Sequence, residues 1–297
     1  MIPAVAKVPA VVGPAEAFRR ACQYEWRHLA ALRSTWILLG VVTVLSALNG
    51  ITLLLDLDKR HTISPATVAD VIAWTPLSVQ IPALCFFMLV LGTGPVATDM
   101  VSGAAQTTWL TVNGRSTAYG AKCAVGFTMG VGTAAVSALL GALSCAVSLS
   151  VVGARQPEWA QTLAPAARFV GWMGCWALLC LALVALLRSR TVSGLFLVLW
   201  PLLGERITGG LLGYVPGLDG IGNWLPFAAG RAMLTDVSAY SGEERPFAQA
   251  LVGSHLSASS GAAVFCLYTV ALAAAGLWAY CRIDAGAPLP PSGWSRP

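Results

Sequence analysis

Charged residues are scarce in this chain. They make up 10% of its 297 residues, and 57% are hydrophobic, whereas an ordinary soluble domain carries about a quarter charged residues. A soluble fold could not hide so much apolar surface from water. The apolar residues recur in runs of about 20, which is the length a helix needs to cross a membrane. The sequence therefore predicts an all-α integral membrane protein.

The residues of common catalytic and metal sites are also few or scattered. The three histidines are isolated, so no HExxH motif exists, and the eight cysteines form no CxxC pair. We expect these cysteines to behave as small buried hydrophobes. The 18 Lys and Arg residues form no basic stripe, which argues against nucleic acid as a partner. The cysteines are Cys22, Cys85, Cys123, Cys145, Cys175, Cys180, Cys266 and Cys281.

A phosphate-binding loop is missing as well. The nearest string ends in Gly120-Ala121-Lys122 and is followed by Cys123, so it lacks the spacing and the terminal hydroxyl of that motif. The acids of Glu243-Glu244 lie in a polar loop, and Asp56-x-Asp58 offers too few carboxylates for a metal-pyrophosphate site. We therefore expect no catalytic site, bound cofactor or metal on this chain.

The apolar runs predict six spans. The fifth begins at Val192, meets Pro201 and then Glu205-Arg206, and resumes in Gly-rich pieces, Ile207 to Val215 and Trp224 to Leu234. We predict a broken fifth span with re-entrant segments. In the third span, Gly126-x-x-x-Gly130 would permit close helix contact. The other five spans are predicted at about Thr35 to Leu55, Pro76 to Ala97, Cys123 to Val152, Ala167 to Leu187 and Ala258 to Cys281.

Residues 15–33 read as an amphipathic helix. One face carries Phe18, Cys22, Trp26 and Leu29, and positive charge lies elsewhere, on Arg19, Arg20, Arg27 and Arg33. Such a helix should lie in the membrane interface. Residues 1–14 are predicted to be a disordered cytoplasmic tail, and residues 285–297 a Pro-rich cytoplasmic tail.

Basic residues favour one orientation. With the N-terminus inside, most of the 18 basic residues fall on the inner side, which predicts a multi-pass plasma-membrane protein with both termini in the cytoplasm. Two interpretations of Glu205 and Arg206 stay open. They could form a functional ion pair at membrane depth. Alternatively, they could pair or snorkel near the outer interface and mark the break in the fifth span.

Three features resemble one known family over nearly the whole chain. The first is the amphipathic helix running into the first span. The second is the stretch from Thr98 to Leu110, followed by Asn113-Gly114-Arg115 and Ala121-Lys122. The third is the broken fifth span followed by Trp224 to Arg231. Together they resemble the ABC-2 type permease family, the membrane subunits of ATP-binding-cassette exporters. Asp99 stands where family members usually have glutamate, and Asn113-Gly114-Arg115 replaces their proline turn.

The resemblance implies a six-span transmembrane domain over residues 15–284 that exports a hydrophobic or amphipathic compound or peptide. ATP and Mg would bind to a separate cytosolic ATPase dimer, and a second permease copy or a related permease would complete the pathway in the lipid bilayer. The intracellular stretch 98–120 would be the coupling loop, and the amphipathic helix a second contact. The implied coupling residues are Asp99, Ser102, Gly103, Thr107, Thr108, Arg115 and Lys122, and those of the interfacial helix are Phe18, Arg19, Arg20, Trp26 and Arg27.

Two other classes are weighed against an exporter. A non-transporting membrane scaffold or regulatory subunit could use the same fold to anchor a partner. An intramembrane lipid-modifying enzyme has less support, because no cluster of acids, histidines or cysteines lies at membrane depth in the sequence. Co-purification of an ATPase and substrate-stimulated ATP hydrolysis would separate the exporter from both.

Overall fold

All regular secondary structure in the described part of the chain is helical. The computed structural model describes residues 13–53, 64–74, 81–102, 114–218, 220–240, 242 and 244–282. The two predicted tails therefore lie outside the described residues, except for Gly13 and Pro14. The α-helices are α1 (Pro14–Ala31), α2 (Arg33–Asn49), α3 (Pro65–Ile72), α4 (Leu84–Ser102), α5 (Arg115–Val152), α6 (Trp159–Leu187), α7 (Arg190–Leu199), α8 (Glu205–Gly213), α9 (Pro226–Leu234), α10 (Glu244–Val252) and α11 (Ala258–Cys281).

Among the described residues, four helical segments are long and apolar enough to cross a membrane by length and composition. They are Arg115–Val152, Trp159–Leu187, Arg190–Gly213 and Ala258–Cys281. The bent pair of α1 and α2 brings the number to five if it is taken as one span. The predicted all-helical fold with several helices suited to a membrane is thus confirmed, while the six-span count stays a prediction.

A sharp bend separates α1 from α2. Leu32 has an extended backbone, with φ −80° and ψ 118°, and it both ends α1 and begins α2. The two helices are bent by 74° at this residue. The amphipathic helix therefore departs from the direction of the apolar helix that follows it, as the sequence predicts. Further along, α2 is joined to α5 by a hydrogen bond of 2.8 Å between the hydroxyls of Ser46 and Ser137.

The predicted glycine motif of the third span lies at a helix contact. A Cβ on Gly126 would fall 2.7 Å from the Leu181 side chain, and one on Gly130 would fall 2.5 Å from the Met173 carbonyl oxygen. Both partners belong to α6, so the two glycines let the α5 backbone approach α6 closely. With 38 residues, α5 is also longer than predicted, because it begins at Arg115 instead of near Cys123.

The core of the bundle is built around α6, which packs against α4, α5 and α11. Trp172 of this helix is fully buried and stacks on Phe265 of α11 with ring centroids 4.2 Å apart. Helix α9 completes the cluster: Gly230 lies so close to Trp172 that a Cβ there would fall 2.0 Å from the indole ring. The short helix α9 is therefore part of the apolar core rather than a surface connection.

The fifth span is not interrupted at Pro201 or at Glu205-Arg206, where the sequence predicts a break. Helix α7 continues through a π-helical turn, Trp200–Gly204, into α8 and ends at Gly213. Proline has no N–H to donate to the preceding turn, and here the Glu205 N–H bonds to the Trp200 carbonyl, five residues back. The wider turn carries the chain past the proline without interrupting the helix. The chain then turns back through a 3₁₀ turn, Ile221–Trp224, into α9.

Contacts between distant segments pair the helix ends. Arg115, the first residue of α5, donates to the carbonyl of Cys281, the last residue of α11, at 2.7 Å. On two connecting segments, the Tyr240 hydroxyl donates to Asp70 Oδ2 at 2.6 Å. Because successive long helices run in alternating directions, these two contacts lie at opposite ends of the bundle.

Candidate functional site

The amphipathic helix α1 packs on α5 through a narrow stripe of its surface. Its buried residues are Ala21, Glu25 and Leu29, which recur every four residues. Of the predicted apolar face, Leu29 is buried against the protein, whereas Phe18 and Trp26 are 40% and 52% exposed. The helix therefore turns its large aromatic residues outward, where a membrane interface would meet them.

A buried ion pair joins α1 to α5. The Lys122 ammonium donates to Glu25 Oε1 at 2.7 Å, and the two side chains are only 2% and 3% exposed. Removing one partner of such a pair costs about 3–5 kcal/mol, because the remaining charge stays buried and uncompensated. The pair therefore fixes the position of α1 on the bundle.

The surroundings of this pair are closely packed and apolar. Ala21 fits against Ala118, Ala121 and Tyr119, and Tyr280 of α11 closes the same cluster. Beside the pair lies a cavity of about 20 Å³, which also borders Met88 of α4 and Leu181 of α6. That volume accommodates about one water molecule.

The residues of the predicted coupling stretch fall into three groups. Arg115 begins α5 and donates to the Cys281 carbonyl. Lys122 is buried and donates to Glu25, so it lies away from the surface. Asp99 and Ser102 belong to the last turns of α4, and their side chains lie outside the described part of the structure. Gly103, Thr107 and Thr108 lie outside the described residues altogether. Helix covers both ends of the stretch, which was predicted as a loop.

The cationic side of α1 is exposed. Arg19 and Arg20 both bond Glu16 at 2.8 Å, while Arg27 lies exposed on the same helix. Hydrogen bonds from Arg19 and then Arg20 lower the pKa of Glu16 to about 2. Exposed pairs of this kind add little to stability. They leave a charged surface beside the outward aromatic residues.

The predicted pairing of Glu205 with Arg206 is wrong. Consecutive residues of a helix point in different directions, and Glu205 is buried while Arg206 is exposed. Glu205 Oε1 instead accepts the Phe227 N–H at 2.7 Å, at the start of α9. Its Oε2 lies 3.6 Å from Arg231 Nη2 and makes no hydrogen bond with the described residues.

Arg231 holds α9 to two other segments. Its Nε donates to the Val252 carbonyl at 2.9 Å, and its Nη1 donates to the Pro201 carbonyl at 3.3 Å. In an uninterrupted α-helix the Pro201 carbonyl would accept the Glu205 N–H, which here bonds Trp200 instead. The π-helical turn thus leaves a carbonyl for the buried guanidinium. Arg206 donates outward to the Leu251 carbonyl at 3.2 Å.

Sequence reasoning did not single out Glu25 or Arg231. Each is a lone charged residue on an otherwise small or apolar helix face, as in Pro226-Phe227-Ala228-Ala229-Gly230-Arg231. That pattern is the available signal, because a charge on such a face has to find a buried partner. The identity of the partner is a tertiary property: Glu25 and Lys122 are 97 residues apart in sequence.

The described residues contain no candidate metal site, since no group of three or more His, Cys, Asp or Glu side chains is placed to hold an ion. All eight cysteines are free; Cys85, Cys145, Cys175 and Cys180 are buried as predicted, whereas Cys266 is exposed.

Comparisons of the chain with protein family models, with curated proteins and with solved structures find no match. Functional inference therefore proceeds from the geometry and the sequence features above.

Proposed function

We propose that this chain is the transmembrane permease subunit of an ABC-2 type exporter, which moves a hydrophobic or amphipathic small molecule or peptide across the plasma membrane. ATP, with Mg, would be hydrolysed by a separate cytosolic ATPase dimer. The observation that carries the proposal is the clamp formed by Glu25 and Lys122, which ties the amphipathic helix α1 to α5, the longest of the described helices.

The clamp suits a subunit that receives motion from outside. Helix α5 is about 57 Å long at 1.5 Å per residue, nearly twice the thickness of the hydrocarbon core. Its first turns therefore extend beyond the membrane, where α1 packs on them. Because the pair is buried and expensive to separate, a push on α1 or on the stretch before Arg115 would move α5 as a unit.

The arrangement of the helices supports six spans. They would be α2, α4, α5, α6, the continuous α7–α8 segment and α11. Helix α4 has 19 residues and begins with an apolar stretch, Leu84–Gly94. An even number of spans places both termini on the same side, and the bond from Arg115 to the Cys281 carbonyl is consistent with that placement. The basic residues assign that side to the cytoplasm.

A second copy of the chain, or a related permease, would complete the pathway. Trp172 and its neighbours fill the middle of the bundle with side chains, so we expect the pathway to lie between two chains. Many large apolar side chains on α2 and α5 face outward. In a bilayer these faces would meet lipid or another span.

The test is a mild-detergent purification of the tagged chain from its host, followed by mass spectrometry and transport into vesicles. We expect an ATPase with a phosphate-binding loop in stoichiometric amounts, and transport that stops when the ATPase site is mutated. Recovery of the chain alone in two detergents would favour a scaffold. A bound ATPase whose turnover no substrate stimulates would favour a regulatory subunit.

The clamp itself can be tested in the same preparation. The double variant Glu25→Leu, Lys122→Met should keep the chain folded, because apolar replacement of a buried pair is often neutral or stabilising. We expect it to retain the ATPase but to transport less per ATP hydrolysed. The exposed variant Glu16→Gln is the matched control on the same helix and should transport normally. Equal coupling in both variants would contradict the proposed role of the clamp.

A further inference from the structure

A polar cavity of about 320 Å³ lies between α8, the turn before α9 and the end of α10. Its wall includes Glu205, Arg206, Gly209, Gly210, Asn223 and Arg231. The volume lies within the range of small-molecule sites, about 300–1,000 Å³. Arg190 begins the same helical segment, and Glu205 lies about 22 Å further along it. The cavity is thus remote from the end of the segment at which Arg190 lies.

Two glycines keep this cavity open. Gly209 and Gly210 follow Glu205 and Arg206 by four residues, so they lie directly above them on the helix surface. Glycine is less favourable than alanine in the interior of a helix. A Cβ on Gly210 would meet no atom within 4 Å. The absence of side chains at both positions leaves room over the carboxylate and the guanidinium.

The charged side chains of the cavity wall have a net positive charge. Glu205 and Arg231 face each other across 3.6 Å and offset one another. Arg206 remains: among the described residues no carboxylate lies within salt-bridge distance, and only its Nη2 is engaged, with the Leu251 carbonyl. The Asn223 side-chain oxygen accepts the His255 N–H at 3.0 Å, which leaves its amide nitrogen to donate. The wall therefore offers several N–H donors and a net charge of +1.

We propose that this cavity binds the phosphate group of an anionic ligand, with Arg206 as the main contact. Guanidinium and phosphate form short, charge-assisted hydrogen bonds, frequently two at once. Such a group could come from a lipid headgroup or from free phosphate. Two apolar residues close to Arg206 favour the lipid. Ile207 and Leu211 follow it on α8 and are 61% and 63% exposed. Acyl chains could lie along them while the headgroup enters the cavity.

The test is native mass spectrometry of the purified, delipidated full chain with phosphatidylglycerol and phosphatidylcholine of identical acyl chains. This measurement needs neither ATP nor a partner, so its outcome is separate from that of the transport proposal. Both lipids carry a phosphate, but the choline cation of phosphatidylcholine would be repelled by the positive charge of the wall, so we expect about tenfold more phosphatidylglycerol to remain bound. Arg206→Gln should abolish the preference, and Gly210→Leu should reduce binding by filling the cavity.

Two matched controls separate a site from general surface charge. Gly213→Leu places the same side chain at another open glycine of α8, outside the cavity. Arg245→Gln removes an exposed arginine of α10 that does not border it. Both should bind phosphatidylglycerol as the wild type does, and thermal melting should be similar for all four variants.

Inorganic phosphate distinguishes the two sources. Displacement of bound phosphatidylglycerol by inorganic phosphate would show that the cavity recognises the phosphate alone. Binding that survives phosphate but is lost in Arg206→Gln would assign the site to the lipid. Equal retention of the two lipids by the wild type would overturn the proposal, and so would unchanged binding in Arg206→Gln and Gly210→Leu or an equal loss in Arg245→Gln.

Discussion

Two buried ion pairs, in separate parts of the molecule, differ in how tightly they are made. Glu25 and Lys122 meet at 2.7 Å with a hydrogen bond, beside a cavity of about 20 Å³. Glu205 and Arg231 stand 3.6 Å apart, beside a cavity of about 320 Å³. The first pair joins two helices over a closed, apolar contact. The second has room around it, and its members also bind backbone groups of neighbouring segments.

This difference shows that burial alone does not define the role of a charged pair. A close pair in a packed environment transmits force, because separating it leaves two uncompensated charges. A loose pair that borders an open space orients groups around a cavity instead. The tight pair thus suits mechanical coupling, and the loose one suits recognition of a ligand.

The largest effect is expected from breaking the tight pair on one side. Lys122→Met should lower the free energy of unfolding by about 3–5 kcal/mol, because Glu25 would remain buried without its partner. Thermal or denaturant unfolding in detergent micelles measures this loss. The double variant Glu25→Leu, Lys122→Met should recover most of it. A double variant as unstable as the single one would mean that packing, not charge, dominates this contact.

A second effect concerns Asp70, a largely buried acid that accepts the Tyr240 hydroxyl. Burial raises its pKa to about 6 from the model-compound value of 3.8. The folded chain then holds this proton more tightly than the unfolded chain, so the group favours folding at acidic pH. Its contribution declines as the pH rises from about 4 to about 6.

Asp70→Asn should therefore stabilise the protein at pH 7.5, by roughly 3 kcal/mol, and the gain should disappear below pH 4. The amide oxygen of asparagine can still accept the Tyr240 hydroxyl. Melting curves of both proteins across this pH range give the comparison, with Tyr240→Phe as the control for the hydrogen bond. A gain that is independent of pH would show that titration of Asp70 is not its cause.

A third effect tests the loose pair directly. A double-mutant cycle with Glu205→Gln and Arg231→Met should give a coupling energy of about 1 kcal/mol, less than that of the tight pair. Glutamine can still accept the Phe227 N–H, so the cycle isolates the charge. If the coupling energy equalled that of Glu25 and Lys122, the two pairs would not differ in the way their distances indicate.

The smallest effect on stability is expected from the exposed ion pairs of α1, which provide the baseline for the comparison. Glu16→Gln removes the exposed pairs with Arg19 and Arg20, and we expect no measurable change in melting temperature, since solvent screens such pairs. Unfolding at low and high salt provides the measurement. A clear loss at low salt would mean that the charges on α1 contribute to its docking on α5.

The sequence predicts the helices better than their contacts. Apolar runs located most of the long helices, and for α11 both ends agree with the structure. The start of α5 was placed too late, because its first turn is polar and a hydropathy criterion does not detect it. The predicted apolar face of α1 divides in the structure: Leu29 is buried, while Phe18 and Trp26 are exposed, because aromatic residues suit a membrane interface as well as a core. Glu25 was not singled out, since nothing local reveals Lys122 as its partner.

The π-helical turn also has a consequence for insertions and deletions in the α7–α8 segment. Deleting Pro201 itself would remove the surplus residue and let the helix close as an ordinary α-helix, whereas deleting a neighbour would leave the proline inside a regular helix, which costs about 3 kcal/mol. Everything beyond would then rotate by about 100°, and Glu205 would turn away from α9. A single surplus residue in the π-helical turn fixes how α7 and α8 are rotated relative to one another about the helix axis. We therefore expect this segment to accept no change of length, whereas neighbouring spans should tolerate paired changes.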